Sequence, residues 1–164
     1  MDGRSGQERG FLMRIHLIAV GRAKRGPEKD LFDTYCGRIR WPFQLHEVEE
    51  KRPLSGDELK AREAELLLGA LPDGAILVAL DERGKPLGSE QLAGKIEGWR
   101  DGGAGDLAFM IGGADGLHES IRKRADLILN FGALTWPHML VRGMLAEQVY
   151  RCQQILAGHP YHRR

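Results

Sequence analysis

The sequence contains little cysteine: only Cys36 and Cys152 occur among its 164 residues, and neither belongs to a CxxC motif. Both lie in partly apolar stretches of helical character, which predicts buried, reduced thiols rather than a disulfide or a metal site. No apolar run approaches the roughly 20 residues that a membrane-spanning helix requires. The first segment, Met1–Gly10, lacks the apolar stretch of a signal peptide. We therefore expect a cytoplasmic protein that has no membrane partner.

The net charge is also small, because 24 basic residues face 23 acidic ones and leave a formal charge of +1. A protein that binds nucleic acid through general electrostatics is usually far more basic. Either the partner is not a polyanion, or the basic groups are gathered on one face. The composition, 42% hydrophobic and 29% charged, is that of an ordinary globular protein, and the length suits one domain.

Short apolar runs alternate with helical patterns along the chain. Runs with little polar alternation are typical of strands that are covered on both faces of a parallel sheet. The predicted strands are Ile15–Val20, Ala75–Leu80, Leu107–Ile111 and Leu127–Phe131, with a weaker edge candidate at Phe43–Glu49. The predicted helices are Glu28–Ile39, a segment that follows Ser55, Ser89–Trp99, Leu117–Arg124 and Pro137–Leu156. This alternation predicts an α/β fold, an open and mostly parallel sheet flanked by helices. We expect residues 1–12 to be a disordered extension and residues 13–164 to form a single domain.

The last predicted helix carries an apolar stripe at spacings of three or four residues. The stripe consists of Val141, Leu145, Val149, Cys152 and Leu156. It is more apolar surface than a small monomer needs, so we expect this helix to contribute to a homodimer. Gly143 interrupts the helix at a cost of about 1 kcal/mol relative to alanine. It indicates either close packing against another element or a tolerated defect.

Three of the predicted strands end in unusual turns, at Leu80–Lys85, Ile111–Gly116 and Phe131–His138. Ligands of open parallel sheets bind outside the carboxyl ends of the strands, and glycines let the backbone approach a ligand closely. Each turn alone is a weak signal: GGADG is not the GxGxxG dinucleotide motif, and DERGK is more often a solvated loop. His159 and His162 lack the further ligands of a closed metal site, so we expect no metal.

Taken together, the segments VALDERGK, FMIGGADG, LTWPHMLVRGMLAEQVYR and GHPYHR resemble the ribosomal RNA large-subunit methyltransferase H family of the SPOUT class. The resemblance covers the chain from about Met13 to Arg164. It implies an α/β domain with a carboxyl-terminal trefoil knot, a homodimer, and S-adenosylmethionine as cofactor. The implied reaction methylates N3 of a pseudouridine in 23S rRNA of assembled ribosomes. Two positions depart from the family pattern: Trp136 replaces the more common Leu or Phe, and Met139 stands where relatives are often polar.

By motif, the resemblance places the cofactor site on Leu80, Gly112, Phe131, Gly132, Ala133, Leu134, Thr135 and Trp136. An adenine ring requires a flat apolar slot edged by backbone donors and acceptors. Leu80, Leu134 and Trp136, together with the glycine-rich loops, could supply such a slot. The alternative for Trp136 is ordinary core packing.

The predicted catalytic groups lie at and after the start of the last helix. His138 and Arg142 are one helical turn apart and are expected to face the same direction. Arg142 is the candidate for binding a phosphate or stabilising the anion that develops on the base, and His138 is either a proton acceptor or a hydrogen bonder at the helix start. Tyr161 and His162 lie on a tail that could reach the acceptor base of the same or the partner subunit; the alternative is a frayed basic terminus.

Recognition of RNA by so small a chain would need a composite surface of the dimer. The candidate residues are Arg22, Lys24, Arg25, Arg122, Lys123 and Arg124, and scattered solvated charges are the alternative. Two other functions also remain open. One is a regulatory module that binds an adenine compound without chemistry, and the other is a ribosome-binding protein that has lost methyl transfer.

Overall fold

The computed structural model describes residues 12–162, and of His162 only the backbone. Its strands are β1 (Arg14–Val20), β2 (Phe43–Val48), β3 (Ile76–Pro86), β4 (Asp106–Ile111) and β5 (Leu127–Asn130). Its helices are α1 (Pro27–Arg38), α2 (Gly56–Gly69), α3 (Ser89–Asp101), α4 (Glu119–Arg124), α5 (His138–Leu156) and a 3-10 helix, Pro160–His162. The strands pair in parallel in the order β2-β1-β4-β3-β5. The predicted α/β fold with an open parallel sheet is confirmed, whereas the knot stays a prediction. The expected extension lies outside the described residues, apart from Leu12.

The centre of the sheet is apolar on both faces. Every residue of β4 is buried, as is every residue of β1 after Arg14. Helices α1, α3 and α5 cover one face, where Ile96 and Val149 belong to the same buried cluster as Leu17. Helices α2 and α4 cover the other face, where Leu67 and Ile121 pack with Ile18. Burial on two faces explains why these strands read as apolar runs without alternation.

Helix α5 packs closely across α1, as the glycine in its first half indicated. A Cβ atom on Gly143 would lie 3.0 Å from the Cδ2 atom of Leu31 on α1. The predicted apolar stripe is present: Leu145, Val149 and Cys152 are buried, and Val141 and Leu156 pack against them at the margins. The expectation that this stripe is surplus surface for a dimer is wrong, because its central residues are covered within their own chain. Pro137 stands at the N-cap, one residue before the position predicted for it.

Strand β3 is longer than the sequence predicts. The chain does not leave the sheet after Leu80; β3 extends to Pro86 and pairs with β5 on both sides of an irregularity between Leu80 and Lys85. Gly84 makes this possible, because a Cβ atom there would lie 2.4 Å from the carbonyl oxygen of Ile128. The predicted DERGK turn is therefore wrong in its form: the segment is a bulged continuation of the strand.

A buried polar network lies at the amino end of the sheet, where β1 and β4 begin. The Arg14 guanidinium donates two hydrogen bonds to Asp106, at 2.8 and 2.9 Å. His16 Nε2 lies 2.8 Å from Asp106 Oδ1, and His16 Nδ1 lies 3.0 Å from His46 Nε2. The hydrogen bond from Arg14 is the largest cause that lowers the pKa of Asp106, so the carboxylate stays ionised. The network therefore satisfies the buried polar side chains at this end of the sheet.

Both cysteines lie in helices, as predicted. Cys152 on α5 is buried and Cys36 on α1 is half-buried, and both are free thiols. Burial raises the pKa of each thiol to about 12. Both side chains therefore behave as small apolar groups of the core.

We expect Gly84→Ala to destabilise the protein by about 2 kcal/mol or more, because the added methyl group meets backbone atoms of β5 that cannot rotate away. Chemical denaturation monitored by circular dichroism measures the change in the free energy of unfolding.

Gly94→Ala is the matched control for this substitution. Gly94 lies on the exposed side of α3 with no atom within 4 Å of the added Cβ. The control should stabilise the protein by up to about 1 kcal/mol through helix propensity. Equal effects of the two substitutions would show that the close approach at Gly84 is absent.

Candidate functional site

The second half of β3 and the carboxyl ends of β4 and β5 enclose a cleft with a volume of about 330 Å³. Its walls come from the three regions that the sequence singled out, here Leu80–Arg83, Ile111–Gly116, Leu129–Gly132 and Leu134–Trp136, together with His138 and Val141 of α5. The prediction that the three strand ends form one site is consistent with this arrangement. We call this depression the strand-end cleft.

The glycine turn after β4 is folded tightly on itself. A Cβ atom on Gly112 would lie 2.7 Å from both the carbonyl carbon and the oxygen of Gly116, and Gly116 has a φ of 81°. Gly113 and Gly116 form an isolated bridge across the turn. Gly112 is therefore required by the turn itself, because a side chain there meets backbone before it meets any ligand.

The loop after β5 presents apolar side chains to solvent inside the cleft. Leu134 is 71% exposed and Trp136 is 38% exposed. The Trp136 indole donates a hydrogen bond of 3.4 Å to the Phe131 carbonyl, and the Asn130 side chain accepts one of 2.6 Å from the Gly132 amide. Trp136 is therefore not packed in the core, which was the alternative role for this residue. Large exposed apolar groups in a concave site are typical of a surface that a ligand covers.

Seven of the eight residues predicted to bind the cofactor line this cleft: Leu80, Gly112, Phe131, Gly132, Leu134, Thr135 and Trp136. Ala133 is exposed on the same loop but does not line the cleft. The sequence motifs therefore brought together a set of residues that are neighbours in space.

His138 and Arg142 do not face the same depression, although they are one helical turn apart. His138 is half-buried and lines the strand-end cleft. Arg142 is 2% exposed; its Nη1 atom lies 2.7 Å from Glu47 Oε2, and Nη2 donates to the carbonyls of Val20 and Gly21 at 3.3 and 3.0 Å. The expected common direction is thus corrected: the guanidinium is drawn inward by the carboxylate of β2 and the end of β1.

Glu47 is held ionised by this contact. Burial opposes ionisation, but hydrogen bonds from Arg142 and from the Ala23 amide, the latter at 2.6 Å, outweigh it and lower the pKa of Glu47. The pair ties the first turn of α5 to β2 and to the loop after β1.

The carboxyl-terminal tail packs on its own α5 helix. The Tyr161 hydroxyl donates a hydrogen bond of 3.1 Å to Glu147 Oε1, and the Arg151 guanidinium lies 4.9 Å from the centre of the Tyr161 ring. Burial and then the charge of Glu147 raise the pKa of Tyr161 to about 12. Tyr161 therefore does not line the strand-end cleft of its own chain. The His162 side chain and Arg163 lie outside what the structure describes.

Glu63 was missed by the sequence analysis. It lies on α2, is 8% exposed, and its carboxylate oxygens would lie 2.9 and 3.5 Å from a Cβ atom on Gly113. Burial, followed by the charge of Asp115, raises the pKa of Glu63. Within a helix of mixed charged and apolar residues, no sequence signal separates this glutamate from its exposed neighbours.

Among the described residues, no group of three or more His, Cys, Asp or Glu side chains could hold a metal ion. Within the same range of the chain, none of the helices combines the length and apolar character needed to cross a membrane.

The chain is similar to known methyltransferases over nearly its whole length. A family model described as predicted SPOUT methyltransferase matches residues 13–162. Two relatives are named ribosomal RNA large subunit methyltransferase H. The one from Rhodospirillum centenum is 64% identical to this chain and the one from Paramagnetospirillum magneticum is 61% identical, and each match covers 92% of this chain and 99% of the relative.

Solved structures share the fold. A probable methylase family protein from Haemophilus influenzae has a TM-score of 0.58 at 12% identity, covering 93% of this chain and 72% of that one. A probable methyltransferase from Bordetella pertussis has a TM-score of 0.55 at 18% identity, covering 86% and 96%.

We expect Glu63→Gln to raise the melting temperature at pH 7–8 and to change it little near pH 4. Because the folded-state pKa of Glu63 lies above its ordinary value of 4.5, the stability linked to its protonated form is present below that value and is lost as the pH rises through the folded pKa. Glutamine does not titrate, so the variant escapes this loss. Thermal denaturation over a pH series measures the effect.

Glu65→Gln is the control, since Glu65 is exposed on the same helix and pairs with Arg62. It should show no gain that grows with pH. If the two variants follow the same pH profile, the raised pKa of Glu63 is refuted.

Proposed function

We infer that the chain, which belongs to the SPOUT methyltransferase family and is a methyltransferase, uses S-adenosylmethionine to methylate a base of large-subunit ribosomal RNA. In its finer form, the proposal places the methyl group on N3 of a pseudouridine in 23S rRNA of assembled ribosomes, in the cytoplasm. The observation that carries it is the convergence of three strand-end segments on one cleft. The names of relatives that match over 99% of their own length support the ribosomal substrate.

The strand-end cleft fits an adenine-containing cofactor. Its volume of about 330 Å³ is at the lower end of the range of about 300–1,000 Å³ for small-molecule sites. Leu134 and Trp136 offer apolar surface for a flat ring, and Gly132 leaves open space beside the backbone. Leu80 and the Gly112 turn would form the opposite wall. When bound, S-adenosylmethionine supplies a methyl group on a sulfonium centre, activated for in-line displacement.

His138 is the proposed proton acceptor. The N3 atom of a pseudouridine carries a proton that must leave before or during attack. The imidazole stands half-buried on the wall of the strand-end cleft, at the first residue of α5. The other role open to it is a hydrogen bond at the helix start.

Arg142 is a proposed positioning residue. Its pairing with Glu47 and two carbonyls fixes the guanidinium behind the first turn of α5. Because Glu47 matches its charge and the side chain does not line the strand-end cleft, Arg142 acts by holding the helical turn that carries His138.

The proposed assembly is a homodimer built on α1 and α5. These helices and the start of α3 border a groove of about 540 Å³ lined by Leu31, Tyr35, Leu87 and Met144 among others. Leu31 is 37% exposed there. Covering this groove with a second copy would bury apolar surface, and the tail of that copy, with Tyr161 and His162, would complete the acceptor site.

Sedimentation velocity at micromolar concentration should show a dimer, and Leu31→Arg should shift it to a monomer because a charge would be buried at the contact. Leu12→Arg, at a leucine that is 62% exposed before the first strand, should leave the dimer intact. A parent protein that is monomeric and fully active would overturn the proposed assembly.

Leu134→Ala should weaken the binding of S-adenosylmethionine at least about tenfold, since it removes apolar contact area from the cleft wall. Leu12→Ala is the matched control: it truncates another exposed leucine, but beside the amino ends of the strands. Isothermal titration calorimetry in the presence of a chelator measures both affinities, and methylation of ribosomes with a tritiated donor measures turnover.

These measurements separate the competing functions. Binding without transfer to ribosomes would favour a regulatory module, and ribosome binding without cofactor binding would favour a protein that has lost its activity. A parent protein that neither binds S-adenosylmethionine nor labels ribosomal RNA contradicts the proposed function.

A further inference from the structure

A second depression lies on the other side of the first turn of α5. It has a volume of about 330 Å³ and lies between the loop after β1, the first turns of α1, and α5. We call it the loop pocket; its lining includes Arg22, Lys24, Arg25, Lys29, Met139 and Arg142. His138 lines the strand-end cleft and the next residue, Met139, lines the loop pocket. The two depressions are therefore neighbours across a single helical turn.

The charges around the loop pocket are predominantly positive and only partly paired. Arg22 forms an ion pair with Glu49, and Lys29 forms one with Asp33. Lys24 and Arg25 are exposed and have no acidic partner within the described part of the chain. Glu28 is the acidic residue of the lining, and the charge of Arg142 is matched by Glu47. Lys24 and Arg25 are thus unpaired cations at the mouth, and they outnumber the Glu28 carboxylate of the same lining.

The buried wall of the loop pocket carries an unsatisfied donor. Arg142 is 2% exposed, and its Nε atom is buried without a hydrogen-bond partner among residues 12–162. Buried donors in native proteins are nearly always paired. Solvent does not reach this nitrogen, so it marks Arg142 as incompletely paired behind the wall of the loop pocket and not as a contact open to a ligand.

The other basic cluster, on α4, differs in this respect. Arg122 donates a hydrogen bond to the Leu117 carbonyl at 2.8 Å, Lys123 pairs with Glu119 at 3.3 Å, and Arg124 contacts both Asp126 and the Ala75 carbonyl. All three cations are engaged within the chain. Of the two basic clusters that the sequence offered for RNA, the loop after β1 is the one with charges left to neutralise.

We propose that the loop pocket binds a backbone phosphate of the acceptor RNA, held at its mouth by Lys24 and Arg25. The proposal rests on the proposed function, because it assumes that the acceptor is RNA. A phosphate here would fix the strand beside the strand-end cleft, so that the target base enters next to His138. Phosphate contacts set the position of a strand without reading its sequence, and a local pocket needs no large net charge on the whole protein.

The test compares two double charge reversals. Lys24→Glu/Arg25→Glu alters the loop pocket, and Lys95→Glu/Arg40→Glu makes the same change in net charge at exposed positions on α3 and after α1. Binding to ribosomes that lack the modification is measured over a series of salt concentrations. The loop variant should bind at least about tenfold more weakly, and the slope of log K against log salt should fall by about 1, for the one phosphate that is no longer neutralised. The control should match the parent protein.

Calorimetry with S-adenosylmethionine and single-turnover methylation complete the test. The loop variant should bind the cofactor with the affinity of the parent protein. Its methylation rate should recover when the variant is added in increasing molar excess over ribosomes. Lys24→Ala/Arg25→Ala should show a smaller loss in the same direction. If the loop variant binds ribosomes as tightly as the control does, and the parent protein methylates them, the phosphate site in the loop pocket is refuted. The proposed function is then unaffected. Loss of cofactor affinity would instead assign the pocket to a carboxylate of the cofactor. A parent protein that does not methylate ribosomes contradicts the proposed function itself.

Discussion

The parallel pairing of the five strands is the constraint on which the rest of the molecule depends. Because all strands run in one direction, the second half of β3 and the segments that follow β4 and β5 lie at the same edge. Two close backbone approaches shape this region: Gly84 of β3 against Ile128 of β5, and Gly112 against Gly116 within the turn after β4. Neither contact leaves room for a side chain. The strand-end cleft is thus shaped by main chain, and its side chains supply the apolar surface.

The ion pair between Arg142 and Glu47 joins the helix that follows the strand-end cleft to the edge strand β2. A buried pair of this kind contributes modestly to stability when intact, but removing one partner leaves a desolvated charge behind. Because Glu47 also accepts a hydrogen bond from the Ala23 amide, the pair fixes the loop after β1 as well. One carboxylate therefore positions both the helix that carries His138 and the loop that carries Lys24.

The sequence was most informative where the physical signal is local. Strands buried on both faces read as apolar runs, and β1, β4 and β5 were found within a residue or two of their bounds. The extension of β3 to Pro86 was missed because DERGK has the composition of a solvated turn, and its pairing with β5 depends on a neighbour distant in sequence. The burial of Arg142 was missed for the same kind of reason, since helical spacing gives a direction relative to His138 but does not reveal a carboxylate on β2. Glu63 has no local signal at all.

The two thiols in the packed helices have a consequence for the chemistry of the whole molecule. Burial raises the pKa of Cys36 and Cys152 to about 12, and the thiolate is the form that reacts with peroxides, disulfides and alkylating agents. The described fold therefore keeps both thiols protonated. Oxidants would have to open α5 before they could reach the buried Cys152, whereas the half-buried Cys36 is protected by its raised pKa.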